Sequence, residues 1–211
     1  MILYLHGFAS GPGSSKACAM AEGLALDGLV PARLDLTPGR DGFERSTPSS
    51  MLAIVEAEIA SRPGPHALIG SSLGGWLAAL AASRNPSVER LVLLAPAFGL
   101  HERWVARLAP GDLDRWQREG SVEVHHHATH RPRRIGWAFF EDAGRWPPFP
   151  VVKVPALCIA GRRDDTVPLQ DVQAWVARTP GSRLEVMEDG HELAGSLERI
   201  VALTREFLGA S

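Results

Sequence analysis

Side chains that cooperate in acyl chemistry stand far apart in this chain: a serine at 72, adjacent aspartates at 164 and 165, and a histidine at 191. A serine hydroxyl attacks a carbonyl well only when a base takes its proton, and an imidazole base works best when a carboxylate fixes its tautomer. Ser72 is the centre of Gly70-Ser71-Ser72-Leu73-Gly74, a G-x-S-x-G pattern. An apolar run ends at Ile69 and a helical pattern opens at Leu73. A sharp strand-to-helix turn pushes the serine oxygen out of the fold, and only glycine leaves room on either side. The helix N-terminus also aims backbone N–H groups at developing negative charge. Glycine and serine are common in ordinary turns, but the flanking strand, the flanking helix and the extra Gly75 weigh against that alternative. Ser71 is the rival nucleophile by position; glycines do not frame it, and packing or turn formation suits it better.

Gly161-Arg162-Arg163-Asp164-Asp165-Thr166-Val167-Pro168 follows an apolar run over Ala156–Ala160. A carboxylate just after a strand sits at the C-terminal edge of a parallel sheet, where ligand chemistry collects. Either aspartate can orient an imidazole there, and either can instead cap a helix starting near Leu169. After the last apolar run comes Glu188-Asp189-Gly190-His191. Lone histidines are usually surface or packing residues, but His191 is the only one downstream of Asp164.

The elements that must position these residues alternate. Strand candidates are Ile2–Leu5, Pro31–Leu36, Ala67–Ile69, Arg90–Leu94, Ala156–Ala160 and Arg183–Met187. Most are continuous apolar runs, as expected of strands buried on both faces. Helix candidates are Ser14–Gly28, Pro48–Arg62, Leu73–Arg84, Leu169–Arg178 and Leu193–Leu208. The order predicts an α/β fold: one domain over 1–211, a mostly parallel six-stranded sheet, and helices on both faces. Residues 98–150 interrupt the rhythm as an insertion after the fourth strand, too long for an ordinary connection. Helical pieces near Leu100–Leu108 and Asp112–Arg118 open it. Two extended pieces through Phe140 then surround a turn near Arg131-Pro132, and Pro147, Pro148 and Pro150 close it as a stiff linker. Trp137, Phe139 and Phe140 are expected to supply apolar substrate contacts, unless they form the insert's own core. Arg131, Arg133 and Arg134 suit a solvated face better than an attraction for an anionic acyl carrier.

On these motifs the chain resembles the α/β-hydrolase superfamily, in particular its small bacterial esterase-like branch, whose members begin with a strand and His-Gly-Phe. The resemblance covers nearly the whole chain, least securely over residues 100–150. It implies a catalytic triad of Ser72, Asp164 and His191. Asp164 fits the family's Gly-x-x-Asp-x-x-Val-Pro register, with Asp165 one place late, and the order Ser-Asp-His agrees. His6-Gly7-Phe8 then implies an oxyanion hole from the N–H groups of Phe8 and Leu73, with His6 as a structural support for the loop. The implied reaction is hydrolysis of a small-molecule carboxylic ester or thioester through an acyl-enzyme, with no cofactor. An acyltransferase, amidase or peptidase on the same triad is the first alternative. A non-catalytic binding protein on this fold is the second, because fold does not prove function.

Bulk properties exclude more than they assign. A chain of 211 residues buries roughly 70% of its unfolded surface and needs no metal or disulfide staple. The formal net charge of -2 makes neither nucleic acid nor an anionic membrane an obvious partner. No apolar stretch approaches the ~18 residues of a membrane span, and no secretory leader is legible, so a cytoplasmic location is expected. Cys18 and Cys158 sit in apolar runs and are expected to be buried, reduced thiols. His125, His126, His127 and His130 invite a metal, but only His125 and His127 would share a strand face, and nothing completes a ligand set. Gly11-Pro12-Gly13-Ser14-Ser15-Lys16 lacks the ending of a phosphate loop. Oligomeric state is not legible.

Overall fold

The computed structural model describes residues 1–209. In chain order the elements are β1 (Ile2–Leu5), α1 (Ser15–Ala25), β2 (Ala32–Leu34), α2 (Gly42–Arg45), α3 (Pro48–Ala60), β3 (His66–Ser71), α4 (Leu73–Arg84) and β4 (Val88–Leu94). Then follow α5 (Leu100–Arg107), α6 (Asp112–Glu119), β5 (Ser121–His126), β6 (Arg131–Gly136), α7 (Trp137–Ala143), β7 (Ala156–Gly161), α8 (Leu169–Val176), β8 (Arg183–Met187) and α9 (Leu197–Leu208).

Six strands form one parallel sheet in the order β2-β1-β3-β4-β7-β8. Alternate residues of the central strands enter two separate cores. Leu3, Leu5, Leu68, Leu91, Leu93 and Cys158 pack with α3, α4 and α8 on one face. Tyr4, Ile69, Val92, Leu94, Leu157 and Ile159 pack with α1 and α9 on the other. Burial on both faces explains why these strands read as unbroken apolar runs. The connection leaving β1 crosses one face and that leaving β3 crosses the other. Their shared C-terminal edge is therefore a topological switch point, where a crevice opens.

Between β4 and β7 the chain folds against the face that carries α3 and α4. The hairpin β5–β6 is present, but its turn is at 127–130, with His130 at φ 51°, and Pro132 lies within β6. A two-stranded ribbon has only edges, so a proline without an N–H is tolerated there. Residues 137–143 are helical rather than extended. Helical spacing packs Trp137 on Phe140, with ring centroids 4.9 Å apart, and brings both against Trp116. The Asp142 carboxylate accepts hydrogen bonds from the Ser49 N–H and hydroxyl, tying α7 to the first turn of α3. The proline segment is fixed by two buried indoles: Trp76 Nε1 donates to the Pro147 carbonyl and Trp175 Nε1 to that of Pro150.

The final helix also begins later than its pattern suggests. Leu193 has φ 53° and Ala194–Ser196 forms a single tight turn. The Asp189 carboxylate folds this loop by accepting from the Gly190 N–H and the Ser196 hydroxyl. Cys158 is buried, but Cys18 is only half-buried, with its sulfur 3.3 Å from Arg33 Nη1. Among the described residues no helix is long and apolar enough to cross a membrane.

Candidate active site

Ser72 occupies the turn between β3 and α4 at φ 52° and ψ -115°, a conformation that costs a non-glycine residue energy. The surroundings hold it there. Its N–H donates to the Leu94 carbonyl, and its own carbonyl accepts from Gly75, Trp76 and Ala97. The framing glycines are steric requirements. A Cβ on Gly70 would stand 2.3 Å from the Gly74 carbonyl oxygen, and one on Gly74 would stand 2.2 Å from that of Leu5.

The end of β7 brings in the acid and the last loop brings in the histidine. A Cβ on Gly161 would collide with the carbonyls of Asp189 and Gly190, so its bare backbone is what lets the histidine loop approach. His191 Nε2 is 2.9 Å from Ser72 Oγ, and His191 Nδ1 is 2.8 Å from Asp164 Oδ2. The other Asp164 oxygen accepts from the N–H groups of Thr166 and Val167. Burial alone would raise the Asp164 pKa. The hydrogen bonds from His191 and the two amides outweigh it and hold the carboxyl below the usual range. Asp165 takes no part; its carboxylate faces the Thr166 hydroxyl.

Gly7 sits against Ser72, its Cβ direction 3.4 Å from the Ser72 Cβ. Among the described residues the N–H groups of Phe8 and Leu73 have no hydrogen-bond partner. His6 is buried behind this loop, with Nδ1 2.9 Å from the Gly7 carbonyl and Nε2 accepting from the Leu36 N–H. Those two partners set a neutral imidazole with its proton on Nδ1, and burial lowers its pKa accordingly.

A pocket of about 580 Å³ opens over Ser72 and His191. Trp137, Phe139 and Phe140 do not line it. Phe139 and Phe140 are buried beneath its wall, where Phe139 packs on Phe8 and Trp104, and Trp137 packs on Trp116. The apolar lining comes instead from Phe8, Leu100 and Trp104, joined by Arg103 and Arg107. The sequence motifs do not point to the α5 residues. Their signal is the spacing Leu100, Arg103, Trp104, Arg107, one face of a helix. Lys16, also at the rim, donates to the Glu192 carboxylate and carbonyl and so ties α1 to the histidine loop.

The histidine-rich turn lies beside this site. His127 donates its backbone N–H to the Ala9 carbonyl. The rings of His125 and His127 lie 5.3 Å apart, while His126 turns inward onto Phe43. No three metal-ligating side chains converge among the described residues.

The architecture recurs in solved structures. The mouse α/β-hydrolase domain-containing protein 10 superposes with a TM-score of 0.82 at 22% identity, covering 98% of this chain and 88% of that one. Est1E from Butyrivibrio proteoclasticus, solved with ferulic acid, gives 0.82 at 20% identity, over 98% and 87%. In sequence the chain is 26% identical to the pimeloyl-[acyl-carrier protein] methyl ester esterase of Stenotrophomonas maltophilia, over 82% of this chain and 80% of the relative. The fold is thus that of the α/β hydrolases, and the match over residues 1–195 places the chain in the uncharacterised protein family UPF0227.

Proposed function

We propose that this protein hydrolyses carboxylic esters or thioesters through an acyl-enzyme on Ser72. The carrying observation is the continuous path from Ser72 Oγ through His191 to Asp164, at 2.9 and 2.8 Å. His191 takes the hydroxyl proton as Ser72 Oγ attacks the carbonyl carbon, and the ionised Asp164 stabilises the resulting imidazolium. The oxyanion rests on the N–H groups of Phe8 and Leu73, which are otherwise unspent. Each such donor is worth about 3 kcal/mol in the transition state. His191 then returns the proton to the departing alcohol or thiol, and water cleaves the acyl-enzyme by the same route. The similarity to an esterase from Stenotrophomonas maltophilia supports the ester class.

The test is hydrolysis of a p-nitrophenyl ester series by wild type, Ser72→Ala and His191→Ala, with circular dichroism to verify folding. Both variants are expected to lose at least about a thousandfold in turnover while staying folded. Wild-type turnover in folded Ser72→Ala would refute the assignment.

A further inference from the structure

Helix α5 brings two arginines to the pocket that contains Ser72, and neither has a carboxylate partner at hydrogen-bond distance. Arg103 is deeply set, its side chain 14% exposed. The nearest carboxylate oxygen, on Asp171, lies 3.8 Å from its Nη1, and that nitrogen is buried without a hydrogen bond. Arg107, one turn on, donates to the backbone carbonyl of Asp165. Among the described residues it forms no ion pair.

The carboxylates around the same pocket are in the opposite condition. Asp164 is held by His191 and two amides, Glu192 by Lys16, Asp189 by Gly190 and Ser196, and Asp165 by Thr166. Every acid has its donors; the two arginines have donors to spare. Burial and the neighbouring charge of Arg107 both act to depress the Arg103 pKa, opposed by Asp171. Setting a guanidinium in a poorly solvated wall beside a like charge costs energy. An anion bridging the pair would recover it, and the planar guanidinium fork matches carboxylate and phosphate oxygens.

We propose that Arg103 and Arg107 form an anion subsite, and that the substrate is an ester or thioester that also carries a carboxylate or phosphate group. The inference rests on the hydrolase function proposed above. Leu100 and Trp104, on the same helical face, and Phe8 provide the apolar surface for the carbon skeleton. The anionic group can stand on the acyl side or the alcohol side of the scissile bond, and paired substrates separate the two.

On the acyl side, mono-p-nitrophenyl esters of dicarboxylic acids are compared with their amide-capped neutral counterparts. On the alcohol side, acetylglycerol phosphate is compared with acetylglycerol by acetate release. The anionic member of at least one pair is expected to show about tenfold or more higher kcat/KM in wild type. Arg103→Gln and Arg107→Gln should each lower that ratio by about tenfold, the scale of one charge-assisted hydrogen bond. Arg103→Lys, which keeps the charge and loses the fork, should restore only part of it. A purely structural arginine would change both members of a pair alike and leave the ratio intact. Equal wild-type rates within both pairs, or a ratio that survives both glutamine variants, would overturn the subsite while leaving Ser72-dependent hydrolysis standing. Absence of Ser72-dependent turnover on every ester would overturn the underlying function and the subsite with it.

Discussion

At the residue scale the site depends on hydrogen bonds that leave Asp164 little freedom. One carboxylate oxygen faces His191 and the other accepts two backbone amides. Asparagine at this position can present its NH2 to the imidazole and stabilise the wrong tautomer. Asp164→Asn is therefore expected to keep its fold and lose about three to four orders of magnitude in turnover. Its acid stability should change in a defined direction. The native pKa lies below the unfolded value of about 3.9. The stabilisation is therefore fully present above that pH and is lost as pH falls through the native value. Urea midpoints measured from pH 6 downward should fall less steeply for Asp164→Asn than for wild type. Identical slopes would show that this carboxyl does not carry the linkage.

At the scale of elements, the hairpin β5–β6 and the Gly7 loop are docked through histidines. His126 is turned inward against Phe43, with its Nδ1 buried and unpaired, and burial is the largest cause that lowers its pKa. The nearby charge of Arg133 lowers it further. A base that resists protonation only in the folded state favours folding above its unfolded pKa, about 6.5, and loses that contribution as pH falls through the native value. His126→Phe removes the titration while keeping an aromatic ring against Phe43. The variant is expected to show a flatter dependence of thermal midpoint on pH below about 6.5. Parallel wild-type and variant curves would contradict the argument.

Over the whole molecule, legibility followed the kind of constraint at work. Strands buried on both faces leave unbroken apolar runs, so the central strands of the sheet are legible in the sequence. The turn at Ser72 was visible because a side chain at Gly70 or Gly74 would overlap backbone atoms. The residues alone leave Asp164 and Asp165 open, and the family register implies Asp164, which the structure brings to within hydrogen-bond distance of His191. The segment between β4 and β7 was less legible, because its form is set by contacts distant in sequence. Residues 137–143 are helical where aromatic packing on Trp116 and the link to α3 reward a helix. Trp137, Phe139 and Phe140 carry the right chemistry for a pocket wall yet lie behind it. The wall is built by α5, whose pocket-facing side is defined only by the loops that close over Ser72.

The most direct measurement follows the covalent intermediate itself. Wild-type protein and Ser72→Ala are treated with a fluorophosphonate, and intact mass and peptide mapping locate the adduct. One phosphonyl group per chain, on the peptide containing Ser72 and absent from the alanine variant, is the predicted result. An adduct on another residue, or equal labelling of the alanine variant, would contradict the account.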